Sequence, residues 1–187
     1  MWRYSGKSCA GLIGLETAGW GFARAEDFGV FKVRDASHPI FRTPLDTGMK
    51  NGDTFGHGPN GELPRAVGHE WDVTTATLMR MTLHVPRDAD PPETQEGIEI
   101  IAEGIRELPG PLDAYLDFFE QPVESLNGLS CEMIVWNRPR GGKVFNAGAV
   151  GTSWVLQADD RMGKLLANVL AAFSIPYSTS GPYLSTP

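Results

Sequence analysis

From Asp159 to Phe173 the apolar side chains recur with a helical period: Met162, Leu165, Leu166, Val169, Leu170 and Phe173 fall at i, i+3, i+4, i+7, i+8 and i+11. This spacing predicts a helix docked by its Met162/Leu166/Val169/Phe173 side. Asp159 or Asp160 can accept from the unpaired first-turn amides, and Pro176 ends the run. Elsewhere the pattern is short and strand-like. Gly11–Leu15 and Gly29–Val33 read as a strand pair, with Val30 and Lys32 on one face and Phe31 and Val33 on the other. Between them the glycine-rich residues 17–23 read as a turn packed by Trp20 and Phe22. Ala66–Val73 and Thr74–Val85 read as two further strands, the second with Thr75, Thr77, Met79, Met81 and Leu83 at alternate positions. Ile98–Ala102 fits either period; its β-branched content and the flanking Gly97 and Gly104 decide for a strand. Pro111–Phe119 predicts a short helix, and Glu132–Trp136 and Lys143–Ala147 a hairpin around Pro139, Gly141 and Gly142.

Residues 42–66 carry five glycines and three prolines, which predicts a long irregular excursion. The proline-bearing acidic stretch 88–96 reads as an exposed linker, and 177–187 as a flexible tail, leaving 1–176 as one domain. Few helices among many short strands predict an α/β fold: a mixed β-sheet with helix cover on at least one face and irregular β-rich insertions.

A formal net charge of −7 and no Lys/Arg cluster argue against nucleic acid as a partner. No apolar run approaches the ~20 residues of a membrane helix, and the N-terminus lacks the apolar stretch of a signal peptide. The expected location is cytoplasmic. Cys9 and Cys131, without Cys-x-x-Cys spacing, are read as free thiols.

The densest polar group is His69-Glu70-Trp71-Asp72. On a strand, Glu70 and Asp72 share one face and His69 and Trp71 the other. The paired carboxylates could do acid–base work or bind a hard cation. The favoured reading is that they take amides of the neighbouring loop or pair with Arg65 or Arg80, ordering the loop. Asn146, ending an apolar strand before Ala147 and Gly148, either satisfies backbone groups or faces a cleft. His38, His57, His69 and His84 have no metal-ligand spacing, and neither Gly151-Thr-Ser-Trp154 nor Gly128-Leu-Ser-Cys131 is a nucleophile elbow.

Ser37-His-Pro-Ile-Phe41, Thr47-Gly-Met-Lys-Asn-Gly-Asp-Thr-Phe-Gly56, Val67-Gly-His-Glu-Trp-Asp72 and Lys143-Val-Phe-Asn-Ala-Gly148, closed by the 159–173 helix, occur in this order. Together they resemble the C-terminal region of the large subunit of the N,N-dimethylformamidase family, over residues 37–174. The resemblance implies a fold completing the sheet of a class I glutamine amidotransferase-like hydrolase domain. It also implies an amidohydrolase acting on a small amide through a mononuclear iron held by tyrosines and a glutamate, near a histidine. The segment carrying that histidine and glutamate lies upstream of the matched region in the family. No cofactor is therefore expected in this chain itself, and His69, Glu70, Asp72 and Asn146 are expected only as pocket-wall or supporting residues. The implied partner is another protein chain: an N-terminal catalytic part, a small subunit or a second copy. The alternative is a non-catalytic structural or assembly module.

Overall fold

The computed structural model describes residues 9–20, 28–81, 95–106 and 129–175. In chain order these form α1 (Ala10–Ile13), β1 (Glu16–Trp20), β2 (Val30–Val33), β3 (Thr54–Phe55), β4 (Glu70–Val73), α2 (Thr75–Met81), β5 (Ile98–Ile105), β6 (Leu129–Asn137), β7 (Lys143–Asn146) and α3 (Asp160–Ala172). Short 3₁₀ helices occupy Pro39–Phe41, Pro59–Gly61 and Val150–Val155. The fold is mixed α/β: a five-stranded sheet ordered β3-β2-β5-β6-β7 and a two-stranded β1-β4 ribbon.

The sheet expected to be mixed is antiparallel at every described pairing. A parallel neighbour needs a crossover long enough to carry the chain back, commonly a helix. The β6–β7 connection is instead a tight turn, in which Gly141 N donates to Arg138 O at 2.9 Å, and it sets the predicted hairpin register Trp136↔Val144 and Ile134↔Asn146. The alternation read in β2 also holds: Phe31 and Val33 are buried and Lys32 is exposed.

One sheet face packs Phe31, Val33, Ile101, Met133 and Val135 against Phe41, Met49, Phe55 and the α3 side chains Met162, Leu165 and Val169. The helix begins as predicted, with Asp159 accepting from Arg161 N. Its docked side is rotated from the expected one, however. Leu165 is fully buried while Leu166 is half-buried, because Asn168 must also point inward. Asn168 Nδ2 donates to Ile40 O (2.8 Å) and Leu45 O (2.7 Å), and its Oδ1 accepts from Leu45 N (2.9 Å). The other sheet face packs Ile134 and Trp136 on Leu15.

Three local expectations are corrected. Residues 11–15 are not a strand: α1 stops at Gly14, left-handed at φ 82°, whose N–H returns to Ala10 O. Glu16–Trp20 is a strand rather than a turn, paired to β4 with a bulge between Thr17 and Gly19. Thr75–Met81 is helical despite its period-two pattern. A buried tertiary acceptor accounts for this: Glu132 takes Thr74 N and Thr77 Oγ1, both at 2.7 Å, which fixes the start of α2. The predicted 111–119 helix, the 88–94 part of the linker, residues 82–85 and the 177–187 tail lie outside the described residues.

Candidate functional site

The β1–β4 ribbon brings several carboxylates together. Trp71 and Val73 point into the core, so Glu70 and Asp72 share the opposite, half-buried face, as strand geometry requires. Beside them on β1 is Glu16, only 5% exposed, with Thr17 opposite Asp72 in the ladder. A backbone bond and the Trp71–Ala149 bridge seat the ribbon beside the large sheet. Asp72 N donates to Gly148 O at 2.8 Å. At left-handed Gly148 (φ 72°) any Cβ would strike the Glu132 backbone, so glycine is required there. Gly104 is similarly confined, since a Cβ would fall on Cys131 Sγ.

Asp72 carries a strongly shifted carboxyl. Burial, then the neighbouring Glu70 and Glu16 charges, push its carboxyl up to about 6, against a hydrogen bond from the Thr17 side chain. Its Oδ1 is enclosed and has no hydrogen-bond partner among the described residues. A carboxyl that exchanges its proton near neutrality is suited to acid–base work. The expected partners Arg65 and Arg80 are used elsewhere: Arg65 donates to Gly61 O and Phe28 O, and Arg80 to Thr77 Oγ1.

His69 does not share the face of Trp71. It precedes the strand in a left-handed conformation, φ 65°, where a β-carbon is strained. Its ring lies edge-on to Phe28 (centroids 4.9 Å apart) and Trp154 (4.7 Å). The structure thus brings Glu70 and Asp72 together and places His69 in an aromatic cluster. Asn146 is structural: its Oδ1 accepts from Gly148 N at 2.9 Å, closing the Asn-Ala-Gly turn.

Burial disfavours the thiolate form of both cysteines. Burial, with Glu16 beside it, raises Cys9 to about 11; its Sγ donates to Glu16 Oε2 (3.3 Å) and Leu15 O (3.2 Å). Burial holds Cys131 well above its ordinary value. Sequence reasoning passed over Glu16 and Glu132. The available signal was a lone charge inside the apolar run Cys131–Trp136, since a buried carboxylate is retained only with partners.

Among the described residues no group of three or more His, Cys, Asp or Glu side chains could hold a metal ion. Their donor set therefore does not fit the iron implied by the resemblance. No helix among them is long and apolar enough to cross a membrane. No protein-family model matches this chain, nor does any curated protein.

Proposed function

We propose that this chain is the C-terminal part of a dimethylformamidase-like amidohydrolase, completing a glutamine amidotransferase-like sheet and forming one wall of a site whose iron ligands lie outside the described residues. Asp72 carries the reading. Its backbone joins two of the segments behind the resemblance through Gly148 O, and its carboxyl exchanges a proton near neutrality beside Glu70. Further support comes from the way the other segments interlock: Asn168 holds Ile40 O, and Asp159 Oδ2 accepts from Gly56 N at 2.7 Å. In this role Asp72 would hold or deliver a proton at the wall while the substrate amide is attacked elsewhere.

A second reading, a non-catalytic assembly module, is favoured by the structural use of several polar motif residues. His38 Nδ1 accepts from Ile40 N, Asn146 closes its turn and Asp159 caps α3. The discriminating experiment mixes this chain with a separately produced, iron-bearing N-terminal part and follows formamide hydrolysis. Activity that appears only in the mixture, and that loses its dependence on a group titrating near 6 in Asp72→Asn, supports the enzyme reading. A stable complex without activity supports the module. No association with the N-terminal part removes the enzyme reading and leaves a module that packs on another partner or on itself.

A further inference from the structure

We propose that Asn60 is a site of covalent self-modification: it deamidates through a cyclic imide, and the fold directs this chemistry to Asn60 rather than to Asn51. Three Asn-Gly pairs occur, at 51–52, 60–61 and 127–128, and the third lies outside the described residues. In each pair the glycine nitrogen is unshielded by a side chain. Once base removes its proton, it can attack the preceding Asn Cγ. The new N–Cγ bond closes a five-membered imide while the Cγ–Nδ2 bond breaks, and ammonia leaves with the proton it needs. Water then opens the ring at either carbonyl, giving aspartate or isoaspartate. The balance is one water consumed and one ammonia released.

Sequence treats Asn51 and Asn60 alike; the structure does not. Asn51 Oδ1 is held by Ala36 N at 2.6 Å, and the nucleophile it would meet, Gly52 N, is bound to Val33 O at 2.9 Å at the end of β2. Attack there requires both bonds to break and the chain to leave the sheet edge. Asn60 is exposed, left-handed at φ 57°, and its side chain makes no hydrogen bond among the described residues. Gly61 N is restrained only by a 3.2 Å bond to Gly58 O within the same turn. The rest of the loop is anchored independently, Gly58 N donating to Glu62 O and Pro64 O at 2.9 Å. Rotation about Asn60 therefore breaks the Gly61 N–Gly58 O bond and disturbs only loop contacts, Glu62 N to Pro59 O (3.1 Å) and Arg65 Nε to Gly61 O (2.9 Å), whereas Asn51 must leave the sheet. The product carries a new carboxylate beside Glu62, at the exposed tip of a loop whose base holds His57 and Arg65.

The test incubates native and denatured chain in mildly alkaline buffer and measures ammonia-loss products at each Asn-Gly pair by peptide mapping. Referred to its own denatured rate, Asn60 should be slowed several-fold less than Asn51. Asn60→Gly, which keeps the left-handed backbone, should abolish the acidic variant arising from this loop. Equal native protection of the two sites, or an Asn60 that stays intact while Asn51 reacts, overturns the proposal.

Discussion

Asp72 and Asp159 make opposite predictions about pH. Asp72 binds its proton more tightly folded than unfolded, its pKa moving from 3.8 to about 6. Its ionisation penalty is therefore absent below the unfolded value, grows as pH rises and is complete above the folded one. Relative to Asp72→Asn, the protein should lose on the order of 1–3 kcal/mol between about pH 4 and pH 7 in urea melts; parallel curves would refute the assignment. At Asp159 burial pushes the carboxyl up, but Arg161 and the Gly56 amide outweigh it and hold it below its ordinary value. Stability from Asp159 is present above the unfolded value and lost as pH falls through the folded one. Asp159→Ala removes the α3 cap and orphans Gly56 N together, so a cost of about 2 kcal/mol is expected at neutral pH. An unchanged denaturation midpoint would show that water replaces both bonds.

Among the elements, those legible in the sequence are those whose partners impose nothing beyond burial. The strand at 30–33, the hairpin and the span of α3 follow from periodicity, while the face α3 turns inward is set jointly by its apolar set and the buried Asn168. α2 was not legible, since a carboxylate 58 residues away in sequence supplies the acceptor for Thr74 N. The face of His69 was misread for a related reason: nothing in the run His69–Asp72 announces a left-handed residue before the strand. Glu132→Ala should therefore melt α2 before the large sheet, lowering stability by about 1–3 kcal/mol from the buried amide left unpaired. Hydrogen exchange at Thr74–Leu78 would register the opening, and uniform protection would show that the helix stands by local propensity. On α3, Leu165→Ala should cost about 2–5 kcal/mol and Leu166→Ala clearly less, reversing the order read from periodicity alone. The measurement is the difference in their melting midpoints.

At the scale of the whole molecule, α/β character was readable from composition and pattern, but sheet polarity was not. Nothing in a short strand states whether its neighbour runs with or against it: β6 and β7 are joined by a turn that forces antiparallel pairing, but β2 and β5 are neighbours without being consecutive in the chain, and no local pattern sets their polarity. Polar groups in the described residues are largely committed internally. Glu132 holds α2, Asp159 holds α3 and the Gly56 loop, and Glu16 receives the Cys9 thiol. A carboxylate already bound to protein donors must give them up to reach a metal, and three further ligands would have to converge on it. The purified chain should accordingly retain no stoichiometric iron in elemental analysis after passage over a chelating resin, and Glu70→Ala or His69→Ala should leave that content unchanged. One iron per chain, lost in either variant, would make the β4 strand a metal site, move the reaction centre into this chain and replace the wall assigned to Asp72 with a ligand set.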